Sequence, residues 1–200
     1  KRIRFAPTEK LPTYLVAWAV GPFDVVEAPP VASSSIRGTA LPLRGIATRG
    51  QGPKLDTALK HTGRILPSLE SYFGTPYPFD KLDIIAVPDY ATGAMENPGA
   101  IMFHDSLMLI DEITGTERQR RNFTNTMAHE LAHMWFGDLV TLRWWDDLWL
   151  NEAFAEWISF RIVADLYPEF RIHLNETYYI EWAKGEDSPM SARQVRQPVE

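Results

Sequence analysis

Cysteine is missing from all 200 residues, which excludes disulfide bonds and any thiolate metal ligand and leaves the compartment open. No run of eighteen apolar residues occurs, so no membrane-spanning helix is expected within the chain. The opening Lys1-Arg2-Ile3-Arg4 lacks the apolar run that follows the basic start of a signal peptide. A basic stripe is also missing. With 20 Lys and Arg against 26 Asp and Glu, the net charge of −6 disfavours nucleic acid as a partner. Arg118-Gln119-Arg120-Arg121 reads as a solvated face at a helix start. There is no internal repeat and no low-complexity tract. What remains, 45% apolar and 23% charged residues, suits a soluble globular domain with one sizeable core.

Against that background one segment stands out. His129-Glu130-Leu131-Ala132-His133 is followed after eighteen residues by Glu152. Positions four apart share one face of a helix, so both imidazoles can aim at one ion about 2 Å away. Glu130 lies about 100° around the same helix, where it can reach a water beside that ion but cannot itself join as a ligand. An isolated His-Glu-x-x-His also occurs on the polar face of ordinary helices. Glu152, on a second helical pattern in an aromatic-rich stretch, favours the metal reading. Two imidazoles and one carboxylate leave a coordination position open, as in catalytic zinc sites and unlike closed structural ones. The expectation is one Zn2+ held by His129, His133 and Glu152, with Glu130 as general base for hydrolysis of an amide.

Helical periodicity places these groups. Phe123, Met127, Leu131 and Met134 predict a helix over 117–136, with a capping box at Thr114/Glu117. A second helix is predicted from an N-cap at Asp146-Asp147 to Pro168, turned back against the first. Residues 54–73 form a further amphipathic pattern, and 169–184 another, with Phe170, Leu174, Tyr178 and Trp182 packing. Strands are expected at 82–87, 100–103 and 107–110, one within 36–47, and short antiparallel ones through 3–28. His61, His104 and His173 read as surface or capping residues, and Trp144, Trp145, Trp149 and Trp157 as core around the site. Glu156, one turn beyond Glu152, is either a support for a metal-bound imidazole or a solvent-facing side chain.

Three motifs in order, Gly93-Ala94-Met95-Glu96-Asn97, His129 to Asp138 and Trp149 to Ala155, resemble the M1 family of zinc aminopeptidases, gluzincins that include aminopeptidase N. The resemblance implies an α+β, thermolysin-like catalytic domain over 54–200, incomplete at its C-terminus, preceded by a crossing segment at 29–53 and the last strands of an N-terminal β-domain at 1–28. It implies that Glu96 binds the free α-amino group of a peptide, while Gly93, Ala94, Met95 and Asn97 complete a loop that aligns the substrate as an added strand. A carboxylate fixed near the scissile carbonyl selects chain starts over internal residues. Peptides with a free N-terminus are thus the implied partners, and oligomeric state stays open. The family's oxyanion tyrosine is expected beyond Glu200, which implies that the chain alone lacks the full catalytic set; Tyr178 and Tyr179 are read as helix packing. Three rivals stand beside this reading. They are an epoxide hydrolase on the same scaffold, which Ala94 disfavours, an endopeptidase, which Glu96 disfavours, and an inactive zinc-holding module.

Overall fold

The computed structural model describes residues 4, 7–111, 113–188, 190–192 and 194–199. Its centre is a five-stranded sheet in the order β1-β2-β3-β5-β4, built from Phe23–Glu27 (β1), Leu43–Thr48 (β2), Leu82–Val87 (β3), Ala94–Met95 (β4) and Ala100–His104 (β5). β2, β3 and β5 run parallel, while β1 and β4 close the two edges antiparallel. The inner strand Leu-Asp-Ile-Ile-Ala-Val is covered on both faces, which is why it reads as an apolar run without alternation, broken by Asp83, whose carboxylate pairs with Arg44 and Lys81. With helices layered on this mixed sheet, the fold is α+β.

The connection from β2 to β3 carries α1 (Asp56–Phe73), whose Ala58, Leu59, Ile65, Leu66 and Leu69 are buried at the predicted spacing. Gly74 ends it in the left-handed region, φ 63°, with its N–H on the Glu70 carbonyl at 2.9 Å. Glu70 itself is buried against Arg37, Nε to Oε1 2.7 Å, and accepts the Tyr77 N–H at 3.0 Å. That pair ties the irregular segment around residue 37 to α1. α3 (Glu117–His133) and α4 (Trp149–Leu166) form the principal helix pair, and Phe123, Met127, Leu131, Ile158 and Val163 join Ile84, Ile101 and Phe103 in one core.

Several expectations change. Residues 107–110 are not a strand; Asp105–Met108 is a short helix, α2, because His104 accepts the Ser106 N–H as its cap. Only Phe23–Glu27 forms a strand among the described residues of 3–28, since Pro12 and Pro22 bracket the run between them and no ladder reaches it. The α3 cap is Thr116/Gln119, not Thr114/Glu117, with both reciprocal bonds present. Asp146 and Asp147 cap nothing. They sit in a single turn, Trp145–Asp147, and each binds Arg196 at 3.0 Å. The last helix starts late, at His173 (α5, His173–Glu186), because Arg171 adopts φ 47° after the turn Pro168–Phe170. Its Leu174, Tyr178 and Trp182 are exposed, Trp182 at 59%, and so are the four tryptophans expected in the core.

Candidate metal centre and the surrounding carboxylates

α3 brings His129 and His133 to one face, and its packing against α4 sets Glu152 opposite them. The His129 and His133 Nε2 atoms lie 3.0 Å apart, and Glu152 Oε2 is 3.3 Å from the first and 3.7 Å from the second. Ligands on a tetrahedral zinc with bonds of about 2.05 Å are separated by about 3.3 Å, so this triangle fits. Among the described residues these three form the group able to hold a metal.

The opposite ring edges decide which nitrogens carry protons. His133 Nδ1 donates to the Phe136 carbonyl at 2.9 Å, and His129 Nδ1 donates to Glu156 Oε2 at 3.0 Å. With an ion bound, both Nε2 atoms would turn lone pairs towards it beside the Glu152 oxygen. Without one, three lone pairs at this point would repel, and protons shared between the rings and Glu152 relieve that repulsion. Burial alone would lower His129, yet the Glu152 and Glu156 carboxylates hold its imidazole up at about 10, and Glu152, hydrogen-bonded to both rings, is held well below the usual carboxylate range. Burial likewise opposes protonation of His133, and Glu152 overcomes it. Gly137, φ 132°, follows immediately; a Cβ there would lie 3.4 Å from both His133 Nδ1 and Asn151 Nδ2.

Glu130 is buried, 6% exposed. Burial raises its carboxyl to about 7 against the lowering effect of the two imidazoles. The five residues 93–97 meet it from the sheet edge. Ala94-Met95 is β4, the Gly93 carbonyl accepts the His104 N–H at 2.9 Å, and Glu96 and Asn97 turn inward and are buried. Glu96 raises the Glu130 carboxyl, so the two acids share one field. His61, His104 and His173 lie outside this constellation: His61 stacks on Tyr167 at 4.8 Å, and burial, with Arg64, Arg120 and Lys60, lowers its imidazole to about 4.

Two participants had no role assigned from the sequence. Asp138 is 2% exposed with neither oxygen hydrogen-bonded, and burial together with Glu96 and Glu130 raises its carboxyl to about 8. Tyr14 reaches Glu96 Oε1 at 3.3 Å from 82 residues upstream. Asp138 only closes the second motif, in a Gly-Asp pair that reads as an ordinary turn, and Tyr14 lies in an apolar run that reads as strand; neither reading gives the residue a role in the site.

A family model for the Peptidase family M1 domain matches residues 57–200. The chain is 41% identical over 172 residues to Aminopeptidase M1-B of Oryza sativa subsp. japonica, covering 85% of this chain and 19% of that protein. It is 40% identical over 172 residues to Aminopeptidase M1 of Arabidopsis thaliana (86% and 19%) and 39% identical over 168 residues to Endoplasmic reticulum aminopeptidase 1 of Homo sapiens (84% and 17%). The chain therefore spans about a fifth of the length of the curated relatives it matches. Fold, ordered motifs and the family match over most of the chain converge: this protein belongs to peptidase family M1.

Proposed function

We propose that this chain is the site-bearing part of a zinc-dependent aminopeptidase that removes N-terminal residues from peptides. The observation that carries the reading is the convergence of two imidazole Nε2 atoms and one carboxylate oxygen within 3.0–3.7 Å, with both rings oriented from behind by acceptors. His129, His133 and Glu152 would hold the ion. Zinc, when bound, supplies Lewis acidity towards a carbonyl oxygen and lowers the pKa of water towards about 7.

The chain's own groups do the rest. Glu130, poised at about 7, accepts a proton from the attacking water and returns it to the leaving amine. Glu156 holds the His129 ring in the tautomer that leaves Nε2 free. β4 offers an antiparallel edge along which an extended peptide can lie, and Glu96 at its end pairs with the ammonium of a chain that begins there. The relatives' printed names, all aminopeptidases, support this assignment over an endopeptidase.

The test is zinc content by mass spectrometry together with hydrolysis of alanyl and leucyl amides and of their N-acetyl counterparts, for wild type and Glu130→Ala. One zinc per chain in both proteins, hydrolysis of the free-amine substrates alone, and a loss of at least about a hundredfold in Glu130→Ala are expected. Protein without zinc, or equal turnover of acetylated substrates, would refute the assignment.

A further inference from the structure

Three acids crowd the substrate side of this site. Glu96, Glu130 and Asp138 are all buried, and each of the last two is raised in part by the charge on Glu96. A buried carboxylate in such company needs a donor. A lysine or arginine there would neutralise Glu96 and take the place of an incoming ammonium. A neutral hydroxyl supports the charge without competing for it.

We propose that Tyr14 is that donor, a positioning residue that fixes Glu96 for recognition of the substrate's α-amino group; this rests on the reading of Glu96 as amine anchor. Its hydroxyl lies 3.3 Å from Glu96 Oε1, and among the described residues no other donor is bonded to that side chain. The next residue repeats the tie: Asn97 Nδ2 donates to the Leu15 carbonyl at 2.9 Å within the core. Two adjacent residues of one segment thus hold two adjacent residues of the loop. The segment is itself anchored. Leu15 is buried, its N–H closes a turn on the Pro12 carbonyl, and the Tyr14 ring meets Trp145 edge-on, centroids 5.2 Å apart at 62°. Burial and then the Glu96 charge raise the Tyr14 hydroxyl far above its ordinary range, so it remains a donor at every working pH. The hydroxyl contact is long for an O–H donor to a carboxylate, which sets a modest expected effect.

The experiment is calorimetric binding of leucine hydroxamate and of its desamino counterpart, 4-methylpentanoyl hydroxamate, to the zinc-loaded protein. Both carry the same metal-binding head and side chain, so the ratio of their affinities isolates amine recognition. Tyr14→Phe keeps the ring against Trp145 and removes only the donor. It should lower the ratio about five- to tenfold while leaving the affinity for the desamino ligand unchanged. A merely structural role would weaken both ligands alike and leave the ratio intact, which would overturn the proposal. Glu96→Gln separates the two readings. A ratio that collapses in Glu96→Gln but is preserved in Tyr14→Phe sinks the role of Tyr14 alone, whereas a wild type that does not discriminate, or binds neither ligand, removes the anchor reading and this proposal with it.

Discussion

Asp138 is the residue with the most unusual environment: buried, unpartnered and facing two other acids. Its folded value of about 8 stands above the ordinary 3.8, so between those pH values the folded protein keeps a proton that the unfolded chain has released. The contribution of Asp138 to stability must then fall as pH rises through that window and level off above about 8. In chelator-treated protein, Asp138→Asn should therefore gain stability over wild type by an amount that grows from pH 4 to pH 8, reaching several kcal/mol by urea denaturation. A difference independent of pH would contradict this account. Residues of this kind escape a reading of the chain. The triad was legible because metal coordination demands particular side chains at fixed intervals, His129 and His133 on one helical face and Glu152 on the next helix. Asp138 and Tyr14 acquire their character from burial and from neighbours distant in sequence, which no spacing encodes.

Among the elements, those with a clear pattern were readable: α1 from its apolar stripe, β3 from its near-continuous apolar run, α3 from the four-residue recurrence that carries the histidines. Where reading failed, a single contact had decided the outcome. Leu107 to Ile110 has the composition of a strand, yet the His104 ring caps a helical turn first. α5 failed differently. Its aromatic spacing predicts packing, but none of its fourteen residues is buried, and its last turn runs past Gly185. A helix this short gains little from propensity alone and needs tertiary contacts to persist. Amide exchange should expose the difference, with α5 in 173–186 exchanging orders of magnitude sooner than α3, whose amides near Phe123 and Leu131 should approach the protection set by global unfolding. Equal protection of both helices would show that α5 is held by more than the contacts described.

Taken whole, the molecule divides its stability between two sources. The sheet, α1 and the inward faces of α3 and α4 supply a continuous apolar core, while the site itself gathers groups that oppose burial. A bound ion would offset the second contribution, because it would bind the folded triad and not the dispersed ligands of the unfolded chain. Free zinc at a hundred times its dissociation constant should add about 2.7 kcal/mol. For a chain of this size that is roughly 5–11 °C in melting temperature. Glu152→Gln should lose most of that gain in a thermal melt with added zinc, while a full gain in the variant would assign the ion to other ligands. No transmembrane-length apolar helix is found among the described residues, so the exposed aromatic side chains of α5 and of the 144–149 segment are not those of a membrane span.

The placement of the ligands on two helices has one more consequence. His133 closes α3 and Glu152 lies in the first turn of α4, whose start has no side-chain cap, so an ion shared by them would join the two ends of the intervening stretch into a ring. In a chain without cysteine, that makes the metal a reversible cross-link, doing for residues 134–151 what a disulfide does elsewhere. Chelation would cut it without touching the sheet, and a protease would find its first sites along the exposed Leu139, Val140 and Trp144, leaving the β-rich half of the molecule whole.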